Sequence, residues 1–376
     1  MYKREFYLIL LILLLLTPVS AKEYFLEPMG CYLDIPQGWE PVEITDTKAT
    51  FTDTAQKGYL QIKVSPADTW ASSPEIFEAI GNQIQADSEG DEFIYLGNDT
   101  AFATYLFPIG ETFYQGFGVL INGEDFDWVI LAFAEALVYE PYQFFLLSAL
   151  DSFSINVDGL YNPGPVSQYF QYSYDEADFF QDIFYFEDED FLFEFDGNGM
   201  ETAELVVERE TAVLGRYTPE DVDAWSRYYR MIYRDNYKRV DGLFRQFLFN
   251  GLKRSEEPVK IAGRLLAWIQ DFEYSRTGTV TDFLPPLSAL YNYTGDCDSL
   301  GLLYVILLKH YGIDSILMVS SEYSHALAAV DVEGEGARFP FQEKGYMIAE
   351  TTDKVALGMI AASMADPAKW LGISFN

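Results

Sequence analysis

The sequence predicts an α+β chain with two or three separately cored units, and three observations predict it. Hydrophobic residues fill 49% of the 376 positions and aromatics 17%, more apolar surface than one core takes up. Strand-period segments separated by turn residues dominate up to residue 157, whereas helix-period segments dominate from 218 to 274. Between them Tyr161-Asn162-Pro163-Gly164-Pro165 marks a boundary, because its prolines and glycine break any regular element.

In the first unit the alternation predicts strands near Gly30 to Ile35, Thr50 to Thr52 and Tyr59 to Val64, then a helix from Pro74 to Gln85. Four more strands follow between Glu92 and Ala134, and a helix from Pro141 to Ser152 closes the unit. Residues 24–157 therefore read as an antiparallel sheet with flanking helices. The opening Gly30-Cys31-Tyr32-Leu33-Asp34-Ile35-Pro36 with Gly38-Trp39, followed by Gly58-Tyr59-Leu60-Gln61-Ile62-Lys63-Val64, is similar to the starts of PsbP-like domains. That resemblance implies a noncatalytic recognition or docking unit with a protein partner.

Residues 158–217 read as a linker and an acidic aromatic β segment. Ile183 to Phe186 and Phe191 to Phe195 are predicted strands, and Asp196-Gly197-Asn198-Gly199 is a predicted turn leading to Ala203 to Glu208. Their aromatic stripes read as core, the alternative being an exposed groove for a peptide or glycan. Asp175, Glu176, Asp178, Asp182, Glu187, Asp188, Glu189, Asp190, Glu194 and Asp196 crowd this stretch without a Lys or Arg. A solvated face is the first reading and a calcium or basic-partner surface the second. No stretch has the calcium-loop spacing with its Gly and terminal Glu, so neither metal nor cofactor is expected.

From residue 218 to 376 a third pattern begins. Thr218-Pro219-Glu220-Asp221 has the capping hydroxyl, first-position proline and early acids of a helix start, and helices continue to Tyr274. Arg227, Arg230, Arg234, Lys238, Arg239 and Arg245 concentrate positive charge there and are expected to pair with the acidic stretch upstream, the alternative being a site for an anionic cell-wall polymer, which the net charge disfavours. Pro258 opens a helix whose Ile261, Leu265, Trp268, Ile269 and Phe272 form one stripe, facing the helix that follows Cys297.

That helix carries the chemistry. Asp296 is its predicted N-cap, Leu300, Leu303, Ile306, Leu307 and Leu308 its buried face, and Gly312 its end. A thiol in the first turn feels the positive end of the helix dipole beside free N–H groups, which favours thiolate and can stabilise an oxyanion. Asp296 and Asp298 push the other way, so a reactive Cys297 needs a cationic partner, usually an imidazolium. The chain has two histidines. His310 lies roughly 20 Å along the same helix and reads as a helix-end cation. His325 begins a strand, His325 to Val332, after a predicted strand Ser315 to Ser320 and a short turn. Asp331 is roughly 20 Å away along that strand, too far to orient the ring. Glu350 closes the next strand, Tyr346 to Glu350, and antiparallel pairing brings it opposite His325. The candidate site is Cys297, His325 and Glu350.

These residues carry a further resemblance. Trp268-Ile269-Gln270-Asp271-Phe272-Glu273-Tyr274-Ser275, Asp282-Phe283-Leu284-Pro285-Pro286, Gly295-Asp296-Cys297-Asp298, His325-Ala326, and Tyr346 four residues before Glu350-Thr351-Thr352 stand in the order and spacing of one family. The stretch from Ile261 to Thr352 resembles the transglutaminase-like branch of the papain-like cysteine hydrolases. The resemblance implies a helical lobe with an antiparallel sheet, a thiolate at Cys297, acid/base work by His325 and an acyl-enzyme. Glu350 stands where that family usually has Asp, Thr351 replaces the usual Pro, and Leu327 sits where an aromatic often follows His-Ala.

Composition bounds the rest. The net charge of −35 repels phosphate backbones and argues against nucleic acid. Residues 1–21 read as a secretory signal, with Lys3 and Arg4, an apolar run Phe6 to Leu16 and Val19-Ser20-Ala21 before the cut; an uncleaved anchor is the alternative. Export to a periplasm or beyond makes the two cysteines informative, because Cys31 and Cys297 either stay free or form a bridge that silences the thiol; the motif around Cys297 favours the free form. The expected function is an exported cysteine peptidase or amidase cleaving or transferring peptide or isopeptide amides. The competing expectation is an inactive exported binding or scaffold protein with the same fold.

Overall fold

The computed structural model describes residues 23–173, 177–187, 189–276 and 282–375. The signal-like segment 1–21 and Asp175, Glu176 and Asp188 of the acidic stretch lie outside them. The chain is α+β, with antiparallel sheets in both units.

The first unit begins with a hairpin of β1 (Glu23–Leu26) and β2 (Cys31–Asp34). Its main sheet holds β3 (Trp39–Ile44), β4 (Lys48–Asp53) and β5 (Gly58–Pro66), then, after α1 (Ser73–Ile84), β6 (Asp87–Tyr95), β7 (Asn98–Ile109), β8 (Thr112–Asn122) and β9 (Phe126–Glu135). Every pairing in the order β3-β4-β5-β9-β8-β7-β6 is antiparallel. Alternate side chains point to opposite faces, so Val129, Leu131 and Phe133 pack under α1 while Ile130, Ala132 and Ala134 pack under α2 (Tyr139–Asp151). Both faces are covered, which is why β9 reads as an unbroken apolar run.

The boundary segment is not a linker. A single 3-10 turn, Asp158–Tyr161, leads through Asn162-Pro163-Gly164 into α3 (Pro165–Tyr172), where Pro165 takes the first helical position and needs no N–H partner. Val166 is buried in the first core, and Ser167 donates from both its amide and its hydroxyl to Asp151 at 2.9 and 2.6 Å. The prolines break the chain only to restart it as a helix of the same unit.

Strands β10 (Phe179–Phe186) and β11 (Glu189–Asp196) form the predicted aromatic hairpin. Phe184, Phe186, Phe191, Phe193 and Phe195 all enter the second core, as the core reading expected. The predicted turn after Asp196 is instead a helix start. Asp196 accepts the Gly199 amide at 3.0 Å and caps α4 (Gly197–Leu214), whose Ala203, Val206, Val207 and Val213 follow a helical period that the glycines mask in sequence. Helices α5 (Val222–Tyr237), α6 (Asp241–Phe249) and α7 (Pro258–Ile269) follow, and Asp221, not Thr218, caps α5.

The arginines of α5 do not meet the acidic stretch; they clamp the two units together. Arg227 is 2% exposed and donates to the Asp34 carbonyl at 2.8 Å, to Glu210 at 3.0 Å and to the Ser148 hydroxyl at 2.8 Å. Arg230 holds both oxygens of Asp34, and Arg234 donates to the carbonyls of Asp151, Phe153 and Gly159. Lys238 and Arg245 pair with Asp241, and Arg239 with Asp235. In the acidic stretch Glu187 pairs with Arg264 of α7. Shape explains the difference: the hairpin docks through its buried phenylalanines, so its acids face outward.

Beyond α7, β12 (Glu273–Tyr274) pairs in parallel with β13 (Thr294–Gly295), with α8 (Pro286–Asn292) between them. Helix α9 (Cys297–His310) is buried on nearly every side, between α7 and a sheet of β14 (Ser315–Ser320), β15 (His325–Val330), β16 (Arg338–Phe341), β17 (Lys344–Ala349) and β18 (Leu371–Ser374). The sheet order is β16-β17-β15-β14-β18. The Gly-rich and Pro-containing stretch before β17 thus contains a strand; the β16–β17 turn places Gln342 and Glu343 at φ 47° and 67°, left-handed positions without the Asn or Gly that signals them. His310 is no helix-end cation: it is sandwiched between Tyr237 and Phe244, and burial holds it below its ordinary pKa. Lys309, bonded to the Phe375 carbonyl and Asp314, and Arg254, bonded to the His310 carbonyl, supply the positive charge at that end.

Candidate active site

The start of α9 is built around one carboxylate. Asp296 Oδ1 accepts the Ser299 amide at 2.8 Å and the Ser299 hydroxyl at 2.6 Å, fixing the cap. Ser299 in turn accepts the Leu284 amide at 2.7 Å, which ties the Phe283-Leu284-Pro285 loop to the helix start. On the other side the β12–β13 pair and the Ser275 amide bonded to the Gly295 carbonyl at 3.0 Å hold the approach. Cys297 therefore occupies a fixed first helical position, where backbone N–H groups lack an acceptor inside the helix.

His325 opens β15 directly opposite Ser320 of β14, after a turn in which Ser324 takes φ 50°. Its Nε2 lies 2.9 Å from Glu350 Oε2. The β15–β17 register ends with Ala328 opposite Ala349, so Glu350 lies one residue past the pair and reaches the ring diagonally rather than from directly opposite. The other oxygen, Oε1, accepts the Thr352 amide at 2.9 Å and its hydroxyl at 2.7 Å, while Gln270 donates to the Glu350 carbonyl at 2.8 Å. Burial alone would raise the Glu350 carboxyl, but the bonds from His325 and Thr352 prevail and hold it below its ordinary value. An acceptor on Nε2 leaves Nδ1 for a second partner.

Cys297, Asp298 and His325 line the same cleft of ≈ 550 Å³, with Tyr229, Arg276 and Trp370. The Ala326 backbone amide, one residue from the imidazole, faces the Cys297 sulfur and draws its pKa down. The structure thus brings the three candidate residues to one place. Cys297 and Cys31 are both free, so no bridge silences the thiol; Cys31 is buried in the first core. The electrostatics are less favourable than a helix start alone suggests. Burial, then Asp298, then Asp296 push the Cys297 thiol up to about 12, against the pull of Ala326 and Arg276.

Sequence reasoning missed several residues of this cleft. Trp370, between a 3-10 turn and β18, packs edge-on to the His325 ring at 6.3 Å and also touches the Tyr323 ring, at 5.5 Å. Its indole N–H donates to the Met364 carbonyl at 2.9 Å. Tyr229 reaches in from α5, and Arg276 from the end of β12. No local spacing links these positions to Cys297.

A larger cleft of ≈ 960 Å³, lined by Asn162, Gln171, Phe179, Lys238 and Arg239 among others, contains none of the three candidate residues. Among the described residues no group of three or more His, Cys, Asp or Glu is arranged to hold a metal ion, and no helix is long and apolar enough to cross a membrane.

No protein-family model matches the sequence, and no curated protein matches it. Among solved structures, the chain is similar to cyanobacterial PsbP (CyanoP) from Synechocystis sp. PCC 6803, at 11% identity and a TM-score of 0.31 over 37% of this chain and 94% of that one. A protein from Bacteroides thetaiotaomicron is similar at 11% identity and a TM-score of 0.28, over 60% of this chain and 81% of that one.

Proposed function

We propose that this chain is an exported cysteine hydrolase of the transglutaminase-like type, acting on peptide or isopeptide amides through Cys297, His325 and Glu350. The observation that carries the reading is the 2.9 Å bond between His325 Nε2 and Glu350, in a cleft that also holds a free thiol at a helix start. A carboxylate on Nε2 fixes the ring so that Nδ1 can take the Cys297 proton. The sulfur then attacks the amide carbonyl carbon, and the oxyanion meets the Cys297 backbone N–H. The carbon–nitrogen bond breaks as His325 returns the proton to the departing amine, leaving a thioester. Water, activated by the same imidazole, releases the acid and the thiol; an amine in its place gives transfer. Hydrolysis is the favoured outcome because the cleft is open to solvent. Export rests on the signal-like residues 1–21, and the first unit is proposed to dock the enzyme onto a protein partner.

The test is turnover of a panel of peptide and isopeptide amides by the mature protein and by Cys297→Ala and His325→Ala, read beside thioester trapping at Cys297. Release of amine by the wild type and by neither variant supports the reading; equal release by all three sinks it. One observation favours a second reading, a noncatalytic binding protein: the thiol is pushed up to about 12 by burial and two carboxylates. An unreactive Cys297 throughout the accessible pH range, with the fold intact, would select it.

A further inference from the structure

Asp298 has no part in the steps above, yet it is set against the thiol. It is the second residue of α9, it lines the cleft, and its Oδ1 is 3.8 Å from the Cys297 sulfur. Tyr229 of α5, 1% exposed, faces the same carboxyl and draws its pKa down. Charged and titratable groups surround it from every side: Asp296 on its own helix, Tyr228 and Tyr229 on α5, Tyr274 and Arg276 at β12, and His325 on β15 with Glu350 behind it. Glu220, Glu322 and Lys369 stand on the rim of the cleft.

Burial, reinforced by the Asp296 charge, pushes the Asp298 carboxyl above its ordinary value, against the pull of Tyr229, Arg276 and His325. Passing the Cys297 proton to His325 creates a thiolate and an imidazolium, and a negative Asp298 opposes the first while favouring the second. Asp298 Oδ1 lies 3.8 Å from the sulfur, whereas the carboxylate bonded to the imidazole is Glu350, at 2.9 Å, which already balances an imidazolium. Repulsion of the thiolate is therefore the larger effect.

Resting on the reading of Cys297 as nucleophile and His325 as base, we propose that Asp298 is an acid-sensitive positioning residue: its carboxylate holds Cys297 as a resting thiol, and its protonation in a mildly acidic medium releases the thiolate–imidazolium pair. The balance is simple. Asp298 gains one proton from solvent, the Cys297 proton moves to His325 Nδ1, and no electron changes hands. As pH falls through the Asp298 titration the thiolate becomes available; above it the thiol stays protonated until it ionises on its own.

The experiment is the rate of iodoacetamide alkylation at Cys297, read by mass spectrometry from about pH 4.5 to about pH 9, in the wild type and three variants. The wild type is expected to show an acidic maximum, a trough near neutrality and an alkaline rise. Asp298→Asn fills the trough, raising the neutral rate by about tenfold or more, the order that a charge at this separation sets even in a partly solvated site. Tyr229→Phe removes a donor that favours the ionised carboxyl and moves the acidic rise to higher pH, which a purely structural role for Tyr229 would not do. His325→Ala loses the acidic maximum. An Asp298→Asn profile that superimposes on the wild type overturns the proposal. If His325→Ala still slows acidic labelling, the hydrolase reading survives that result; if His325→Ala also superimposes, both fall.

Discussion

Replacing Arg227 by alanine tests whether the two units are joined by buried charge. The guanidinium is 2% exposed, and its three nitrogens reach Glu210 on α4 and, across the junction, Asp34 and Ser148. Glu210, 1% exposed, keeps Arg209 Nε at 2.8 Å and the Ser148 hydroxyl at 2.9 Å after the change, so its charge is not abandoned. The Asp34 carbonyl and the Ser148 hydroxyl lose a charged donor in a buried site. Leaving two buried acceptors without their charged donor costs about 1.5–3 kcal/mol each, together a large part of the ~5–15 kcal/mol that folded chains hold in reserve. Urea unfolding read by tryptophan fluorescence should show the midpoint falling by about 1–2 M. Arg245→Ala is the internal control, because that side chain is 71% exposed in its pair with Asp241 and should cost no more than about 0.5 kcal/mol. An Arg227→Ala midpoint indistinguishable from the control would refute the clamp. A consequence for the cleft follows, since α5 carries Tyr229 and Trp225 on its other face: loosening Arg227 should also change the rate of Cys297 alkylation.

Three further outcomes are expected. Glu350→Gln keeps the shape but removes the charge that orients His325, and should lower kcat/KM on any amide the protein turns over by about 10²-fold or more, with little change in KM; an unaltered steady-state rate would detach Glu350 from the site. Ile306→Ala, at a position of α9 with no exposed surface, should destabilise the fold by about 2–5 kcal/mol in the same urea assay, and a loss well under that range would mean that the sheet and α7 close over the cavity. Asp314 is opposed by burial but held down to about 2 by its bonds from Lys344, Lys309 and Tyr346, so its folded pKa lies below the unfolded one. Its contribution is present above the ordinary carboxylate range and lost as pH falls towards about 2, so the stability gap between wild type and Asp314→Ala should narrow on acidification; a gap constant from neutral to acid would contradict the assignment. The effect is small because the side chain is 38% exposed.

What the residues alone determined was local. Asp296 before Cys297 caps a helix because a short carboxylate reaches the Ser299 amide three residues on, and that needs no other part of the chain. Ser315 to Ser320 and the start of β15 at His325 follow from apolar β-branched runs and a short turn, so the positions of the thiol and the imidazole were legible. The period-2 alternation likewise set most of the first sheet. Helix α4, α3 and strands β3, β16 and β18 were not legible, since glycine, proline or an unmarked left-handed turn overrode the local signal and only packing on a neighbour fixed the choice. Tertiary structure alone decided the charge partners. Arg227 and Arg230 were expected beside the nearest acidic run, yet they meet Asp34, almost two hundred positions away in sequence, because a buried cation takes the acceptors that share its cavity rather than those that are near in sequence. The same holds at the cleft: that Tyr229, Trp370 and the strand carrying His325 converge on Asp298 and Cys297, and so set the chemistry of the thiol, depends on where four distant segments come to rest.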